Sequence, residues 1–304
     1  MFKSIEEYLV QLKSELAGCD PATVQDALSD AEEYLRSARA QALRDKPGSG
    51  EGELVAGIVE EYGAPADIAA AYRDIEVRVQ PVLAPRPMPA VTVPGATGHR
   101  SLLARFFGVL VDPRAYAALF YMFFSLITGI LYFTWATAGL SLSFGLMVLI
   151  IGLPFVLVFL LSVQGVALVE GRLIEALLGE RMPRRPLFSS PHLGFWERLK
   201  VLVTDKLSWT TLLYMIVQLP LGCIYFTVFV FLLAMGLWGF VYPVLRYVLG
   251  FPYMQINDWM FFPAAWMYPV VMLVSFLWIV LTLHLARILG RAHAGLAKVL
   301  LVRD

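Results

Sequence analysis

Polar atoms that could do chemistry are scarce in the last two thirds of this 304-residue chain, and they can be named one by one. Gln164, Glu170 and Arg172 close one long apolar run, Gln218 interrupts a second, and His284 and Arg287 end a third. Asp112 and Asp205 stand just ahead of two of these runs. Polar groups at depth in an apolar helix face a bundle interior or a cavity, where they pair, bind or exchange protons. His284 fits a proton sensor, its free pKa lying near 6.5. It also fits an interfacial histidine, because Arg287 is within about one turn. Asp112 and Asp205 suit helix caps, or a pair of related carboxylates that bind a cation or the acidic N-terminal segment. Glu170 is expected to pair with Arg287 or Arg172. Pro154, Pro220 and Pro269, with Gly152 and Gly222, are candidate hinges: broken helices expose backbone groups to a ligand, although prolines are also ordinary in membrane helices. The ligand version places a lipid-sized apolar cavity between kinked spans.

Other chemistry is excluded. The sequence has no GxSxG, HExxH, Walker or GxGxxG motif, and its four histidines (His99, His192, His284, His293) show no ligand spacing. Two cysteines, Cys19 and Cys223, build neither a disulfide framework nor a zinc site. The reading is therefore of a non-enzyme without cofactor or metal.

The elements that position these residues are membrane helices. The AVILMFWYC residues make up 59% of the chain and charged residues only 16%, which rules out a purely soluble protein. Stretches without Asp, Glu, Lys or Arg run over Ala115–Val169 (55 residues), Leu207–Leu245 (39) and Trp259–Ala286 (28), against about 20 residues per span. The expected spans are about 116–138, 145–168, 209–232 and 263–285, with a hairpin turn near Gly139–Gly145. An aromatic outer segment (Trp238, Tyr242, Tyr247, Tyr253, Trp259) precedes the last span. With four spans and both termini inside, 14 of the 15 basic residues in 100–304 fall in the cytoplasm and only Arg246 outside, as the positive-inside rule requires. The first 20 residues lack the apolar core of a secretory signal.

An internal repeat supports this count. Arg105–Thr134 and Arg198–Thr227 align without gaps at an offset of 93, with ten identities that include Asp112/Asp205, Tyr121/Tyr214, Leu126/Leu219, Gly129/Gly222 and Tyr132/Tyr225. The second halves align at an offset of 115 through Pro154/Pro269 and Arg172/Arg287. Repeats over 105–180 and 198–300 with two spans each share one orientation, so a pseudo-two-fold axis along the membrane normal is expected. Short basic amphipathic turns precede the first and third spans: Leu102, Leu103, Phe106, Phe107 and Leu110, then Phe195, Trp196, Leu199 and Leu202. Such turns lie on an anionic inner leaflet.

Ahead of the membrane domain (100–304) lie an acidic helical module over 1–76 and a Pro-rich linker over 77–99. Residues 1–99 carry 16 acidic against 9 basic side chains, which argues against direct nucleic-acid binding. The Arg181–Arg185 cluster is a fitting contact for this module or for lipid headgroups. Ser4 and Glu7 form a capping box, and Asp20-Pro21 starts a second helix. Ile5, Tyr8, Leu9, Leu12 and Leu16 share a face, as do Val24, Leu28, Ala31, Leu35 and Ala38; Leu54, Ile58 and Tyr62, then Ile68, Tyr72 and Ile75, face inward on two further helices.

Tyr8–Leu16, Asp30–Leu35 and Glu60–Ala69 resemble the HAAS domain of bacterial signalling proteins, with Tyr62 where that family usually has Leu. Asp112–Tyr116, Asp205–Trp209 and the turn at Gly152–Pro154 resemble the sensor-type membrane domain that bacteria attach to kinases or HAAS modules. The resemblance implies signal transduction, commonly beside a PadR-type transcription regulator. The whole reads as an all-α protein of the bacterial inner membrane: a small cytoplasmic helical module and a four-helix transmembrane domain of two tandem two-span repeats. It relays a membrane or envelope signal to a cytoplasmic regulator. Membrane lipids, a lipophilic small molecule and a second copy of the chain are the other partners this pattern suits. The alternatives are a transport or lipid-handling subunit whose module docks a cytoplasmic partner, and a structural assembly factor.

Overall fold

The computed structural model describes residues 2, 4–45, 51–84, 102–147, 152–184, 194–250, 254–256, 259–261 and 264–302. Most of the linker lies outside them, as do Arg100, Arg185 and Tyr253 and the side chains of Leu102, Arg105, Phe195 and Trp259. The described chain is helical apart from one short hairpin. Its helices are α1 (Ile5–Glu15), α2 (Pro21–Asp45), α3 (Glu51–Tyr62), α4 (Pro65–Arg78), α5 (Leu102–Phe107), α6 (Pro113–Leu146), α7 (Gly152–Leu178), α8 (Phe195–Thr204), α9 (Lys206–Leu249) and α10 (Met267–Leu301). A 3-10 turn, Gly108–Val111, follows α5. Strands β1 (Met254–Ile256) and β2 (Trp259–Phe261) pair antiparallel with Gln255 opposite Met260.

Four helices, α6, α7, α9 and α10, are long and apolar enough to cross a membrane. Their surfaces expose large apolar side chains such as Phe120, Leu131, Phe144, Val158 and Phe231, a pattern that lipid satisfies and water does not.

Element boundaries differ from expectation in three places. Helix α6 runs through the supposed turn at Gly139–Gly145, since no proline stops it and Gly139 is spent on packing: a Cβ there would fall 1.9 Å from the ring of Phe159. Helix α9 continues through Pro220 and Pro243 into the outer aromatic segment, reaching 44 residues. Pro154 and Pro269 are each the third residue of their helix, in the first turn where a missing N–H costs no helical bond. Only Pro220 of the three expected hinge prolines interrupts a helix interior.

The chain divides into two compact units. The first comprises Met1–Ala84, Tyr132–Ile216 and Ala294–Asp304. Within it α1 to α4 surround a core of Tyr8, Leu12, Leu16, Ala27, Ala31, Leu35, Val55, Ile58, Val59 and Ala69. The capping box forms, Glu7 N–H donating to Ser4 Oγ at 3.2 Å, and Asp20 Oδ1 accepts from Ala22 N–H at 2.9 Å. On α3 the expected Ile58 is buried and Tyr62 packs on the core, joined by Val55 and Val59 from the next position round, while Ile75 of α4 stays exposed. A second core in the same unit joins Tyr132 and Ala136 of α6, Val156, Phe159, Leu160 and Val163 of α7, Leu199 and Leu202 of α8, and Leu212 and Met215 of α9.

The second unit comprises Pro85–Leu131 and Val217–His293. In it α6 and α9 cross backbone to backbone. A Cβ on Gly129 would sit 2.8 Å from the carbonyl oxygen of Gln218 and 2.9 Å from Cα of Leu219, and one on Gly222 would sit 2.5 Å from the oxygen of Ser125 and 2.8 Å from Cα of Leu126. Gly129 faces Leu219 while Gly222 faces Leu126, so the crossing is built from residues that the 93-residue offset makes equivalent. Helix α10 packs on α9 by similar economy, with Gly239 against Ser275 and Gly236 against Ile279. Small residues that admit close backbone approach are the usual solution for helix pairs in lipid.

Candidate functional site

The repeated Asp-x-x-x-aromatic entry has a geometric purpose. Asp112 Oδ1 accepts from Arg114 N–H at 3.1 Å, and Asp205 Oδ2 from Ser208 N–H at 3.2 Å, so each carboxylate caps a membrane helix. The aromatic residue ties the helix to the turn before it: Tyr116 O–H donates to the Leu110 carbonyl and Trp209 Nε1–H to the Val203 carbonyl, each at 2.8 Å. Beyond its cap, Asp112 Oδ2 pairs with Arg287 at 2.9 Å. His284 Nε2 lies 3.0 Å from the Phe106 carbonyl, and its ring stacks on that of Phe106. Capping and ion pairing therefore coexist at Asp112.

The chemically distinctive groups are two buried ionisable side chains, each held between tyrosines. Glu170 of α7 is 1% exposed and accepts from Tyr132 O–H of α6 at 2.9 Å and Tyr214 O–H of α9 at 2.7 Å. An ionised carboxylate is acceptor-only, so a phenol donor on each oxygen suits it. In the second unit His293 of α10 is 1% exposed, with Tyr121 O–H of α6 2.7 Å from Nε2 and Tyr225 O–H of α9 3.4 Å from Nδ1. These are the four tyrosines of the repeat. The offset of 93 carries Tyr121 to Tyr214 and Tyr132 to Tyr225, so it carries one cluster onto the other and matches His293 with Glu170. The second halves of the repeats thus correspond at an offset of 123 near these groups, against 115 at the helix starts. Eight extra residues in α10, just over two turns, set His293 against the equivalent tyrosines of the other half. Burial agrees: Leu160, Val163 and Ile174 match Leu283, Ala286 and Ala297, all buried.

Glu170 was expected to pair with Arg287 or Arg172. Those arginines bond to Asp112 and Glu175, and the tyrosines take Glu170. Its neighbourhood leads to the N-terminal module inside the same unit. Glu175, one turn along α7, binds Arg172 and also Arg184 at 2.9 Å, and the Arg184 N–H donates to Asp26 Oδ1 of α2 at 2.7 Å. Lys298 of α10 pairs with Asp20, Arg181 reaches the Val79 carbonyl at 3.4 Å, and Gly179, at φ 75°, lets Leu83 approach so closely that a Cβ would fall 2.5 Å from its oxygen. Arg184 thus meets the acidic module through its backbone N–H, with its guanidinium on Glu175, and Arg181 reaches a linker carbonyl just beyond the module.

Gln164 and Gln218 remain polar exceptions. Gln164 lines a cavity of about 30 Å³ with Gln25, Gly171, Met182, Thr211 and Leu301, and its Nε2 has no partner among the described residues; one water fits there. Gln218 is fully buried at the α6–α9 crossing, and neither of its amide atoms has a partner among the described residues. Gly222 belongs to that crossing, and Gly152 closes against the backbone of Leu146 and Met147 at the start of α7. Sequence reasoning named Glu170 but missed His293 and the four tyrosines, although the tyrosines were visible as repeat identities.

Residues 121–301 match the family described as "Putative sensor", and residues 7–71 match the HAAS domain. The chain belongs to the sensor family. The match begins at Tyr121, eight residues into α6, and spans both tyrosine clusters, the α6–α9 crossing and the other three apolar helices, while the HAAS match runs from the third residue of α1 through α3 to the middle of α4. No curated protein and no solved structure matches the chain. A HAAS domain fused to a sensor domain with four candidate spans makes this a membrane protein of the signalling class.

Proposed function

We propose that the protein is a non-catalytic sensor of the bacterial inner membrane, with both termini cytoplasmic. It passes the packing state of its four-helix domain to a cytoplasmic regulator of the PadR type through the HAAS module. The observation that carries this reading is the continuous run of contacts in the first unit: Tyr132 and Tyr214 on Glu170, then Glu175, Arg184 and Asp26. A signal that changes how α6 and α9 hold Glu170 displaces α7, and α7 carries the loop on which Asp26 docks. The signal is a membrane-partitioning molecule or a change in the envelope. It acts by favouring one packing over another, as any ligand-driven shift must.

The test is hydrogen exchange on the full chain in lipid nanodiscs. With Tyr214→Phe, protection is expected to fall at the Arg184 amide and in the first turns of α2. Unchanged exchange at both, in a variant that stays folded, would break the proposed connection. Co-purification of a regulator from the native membrane, lost on deleting residues 1–76, tests the output side.

A further inference from the structure

The entry to the third span carries side chains that neither its cap nor its core uses. Helix α8 is joined to α9 by Asp205 alone, and the charge-free run of α9 opens at Leu207. Connectivity therefore holds α8 at the edge of the hydrocarbon. One face of α8 is spent on packing, since Leu199 and Leu202 are buried with Tyr132, Val163 and Met215. At about 100° per residue, Trp196, Lys200 and Val203 stand together about a quarter-turn round from that face. Trp196 is 66% exposed and Val203 41%, and Lys200 is exposed as well. The patch continues into α9 through the exposed Lys206 and through Trp209, whose indole N–H on the Val203 carbonyl fixes it beside α8. Neither lysine has an ion pair or hydrogen bond among the described residues. Of the nearby carboxylates, Asp205 is spent on the cap of α9 and Glu197 stands further round α8.

The repeat supplies an internal comparison. Its offset of 93 sets Leu103, Phe107, Leu110, Pro113 and Tyr116 against Trp196, Lys200, Val203, Lys206 and Trp209. The first entry forms the same aspartate cap and the same aromatic hydrogen bond without either lysine. The fold of the entry therefore does not require these two cations.

We propose that the Trp196, Lys200 and Val203 face of α8, with Lys206 and Trp209, binds anionic phospholipid of the adjoining leaflet. The two ammonium groups meet headgroup phosphates, while the indole rings settle at the headgroup level, where an apolar body and a polar edge are both satisfied. The packing face of α8 touches Tyr132, a donor to Glu170. Bound lipid thus reaches the buried carboxylate through one helix, and the input it brings is negative surface charge. That consequence rests on the relay proposed above, whereas the binding itself does not.

The test uses the full chain carrying 5-fluorotryptophan in micelles of an uncharged detergent, titrated with phosphatidylglycerol or phosphatidylcholine and followed by fluorine NMR. Trp196→Phe and Trp209→Phe assign the two resonances of the patch. Both are expected to move with phosphatidylglycerol, which should bind about twentyfold more tightly than phosphatidylcholine. Lys200→Gln and Lys206→Gln are each expected to weaken it about fivefold, with the other tryptophan resonances unmoved as the sign of an intact fold. Lys13→Gln, which removes an exposed cation of α1, should leave the titration unchanged. Equal affinity for the two lipids, a titration that neither α8–α9 lysine variant alters, or an equal loss with Lys13→Gln would overturn the proposal and leave the relay standing. Exchange at the Arg184 amide that follows phosphatidylglycerol in the native chain, and not in the two lysine variants, supports lipid as the input. Intact binding without that response would overturn the input role and leave the lipid contact in place.

Discussion

Replacing Gly129 and Gly222 with alanine tests whether the repeat symmetry is built into the helix crossing. The added Cβ atoms fall short of the 3.4 Å of ordinary contact by about 0.6 Å at Gly129 and about 0.9 Å at Gly222, and the opposing atoms are backbone, which cannot rotate aside. Overpacking of this kind costs about 1–3 kcal/mol, and the better helix propensity of alanine returns about 0.8–1 kcal/mol. A net loss of up to about 2 kcal/mol is expected for each single variant. Both clashes are relieved by the same separation of α6 from α9. The double variant should therefore cost clearly less than the sum of the singles, beyond the ~0.3–0.5 kcal/mol scatter of independent sites. Gly165→Ala is the control, because a Cβ there meets nothing within 4 Å; it should be neutral or stabilise by up to about 1 kcal/mol. The assay is equilibrium unfolding in mixed micelles with increasing dodecyl sulfate, followed by tryptophan fluorescence. Strict additivity, or single variants as harmless as Gly165→Ala, would refute the reasoning.

Tyr214→Phe removes one of two phenol donors from the buried carboxylate of Glu170 and is expected to cost about 1–2 kcal/mol in the same assay. Glu170→Gln should then make Tyr214→Phe cheaper, and a double-mutant cycle with no coupling would count against the cluster. Asp26→Ala should raise exchange at the Arg184 amide, whereas Arg184→Ala keeps the backbone N–H that Asp26 accepts and should leave the residue-184 amide more protected than Asp26→Ala does. Burial pushes the phenol of Tyr8 up to about 12, with its O–H donating to the Gly63 carbonyl. The folded state therefore holds this proton above the pH at which the unfolded chain releases it. The resulting stability is fully present below about pH 10 and is lost as pH rises toward about 12. Thermal melts of the full chain followed by far-ultraviolet circular dichroism should show a module transition falling across that window, and Tyr8→Phe should flatten it.

The one-dimensional pattern determined what depends on composition and local chemistry. Charge-free runs far longer than 20 residues can only be spans, so the four membrane helices were legible, as were the caps at Ser4, Asp20, Asp112 and Asp205. The 93-residue repeat was legible too, because duplicated interiors keep duplicated polar and glycine residues. Where helices end inside apolar sequence was not: Gly139 reads as a turn in one dimension, and only the ring of Phe159 across the interface shows it to be a packing residue. The site was half visible. Glu170 stood out as a charge at the edge of an apolar run, but its partners depend on which faces of α6 and α9 meet α7, which spacing along one helix does not give. His293 gave no sequence signal, since its equivalence to Glu170 holds only after α10 has gained eight residues relative to α7. Tertiary structure alone decided that four scattered tyrosines converge in pairs, because hydrogen bonds between helices are fixed by crossing geometry and not by spacing along any one of them.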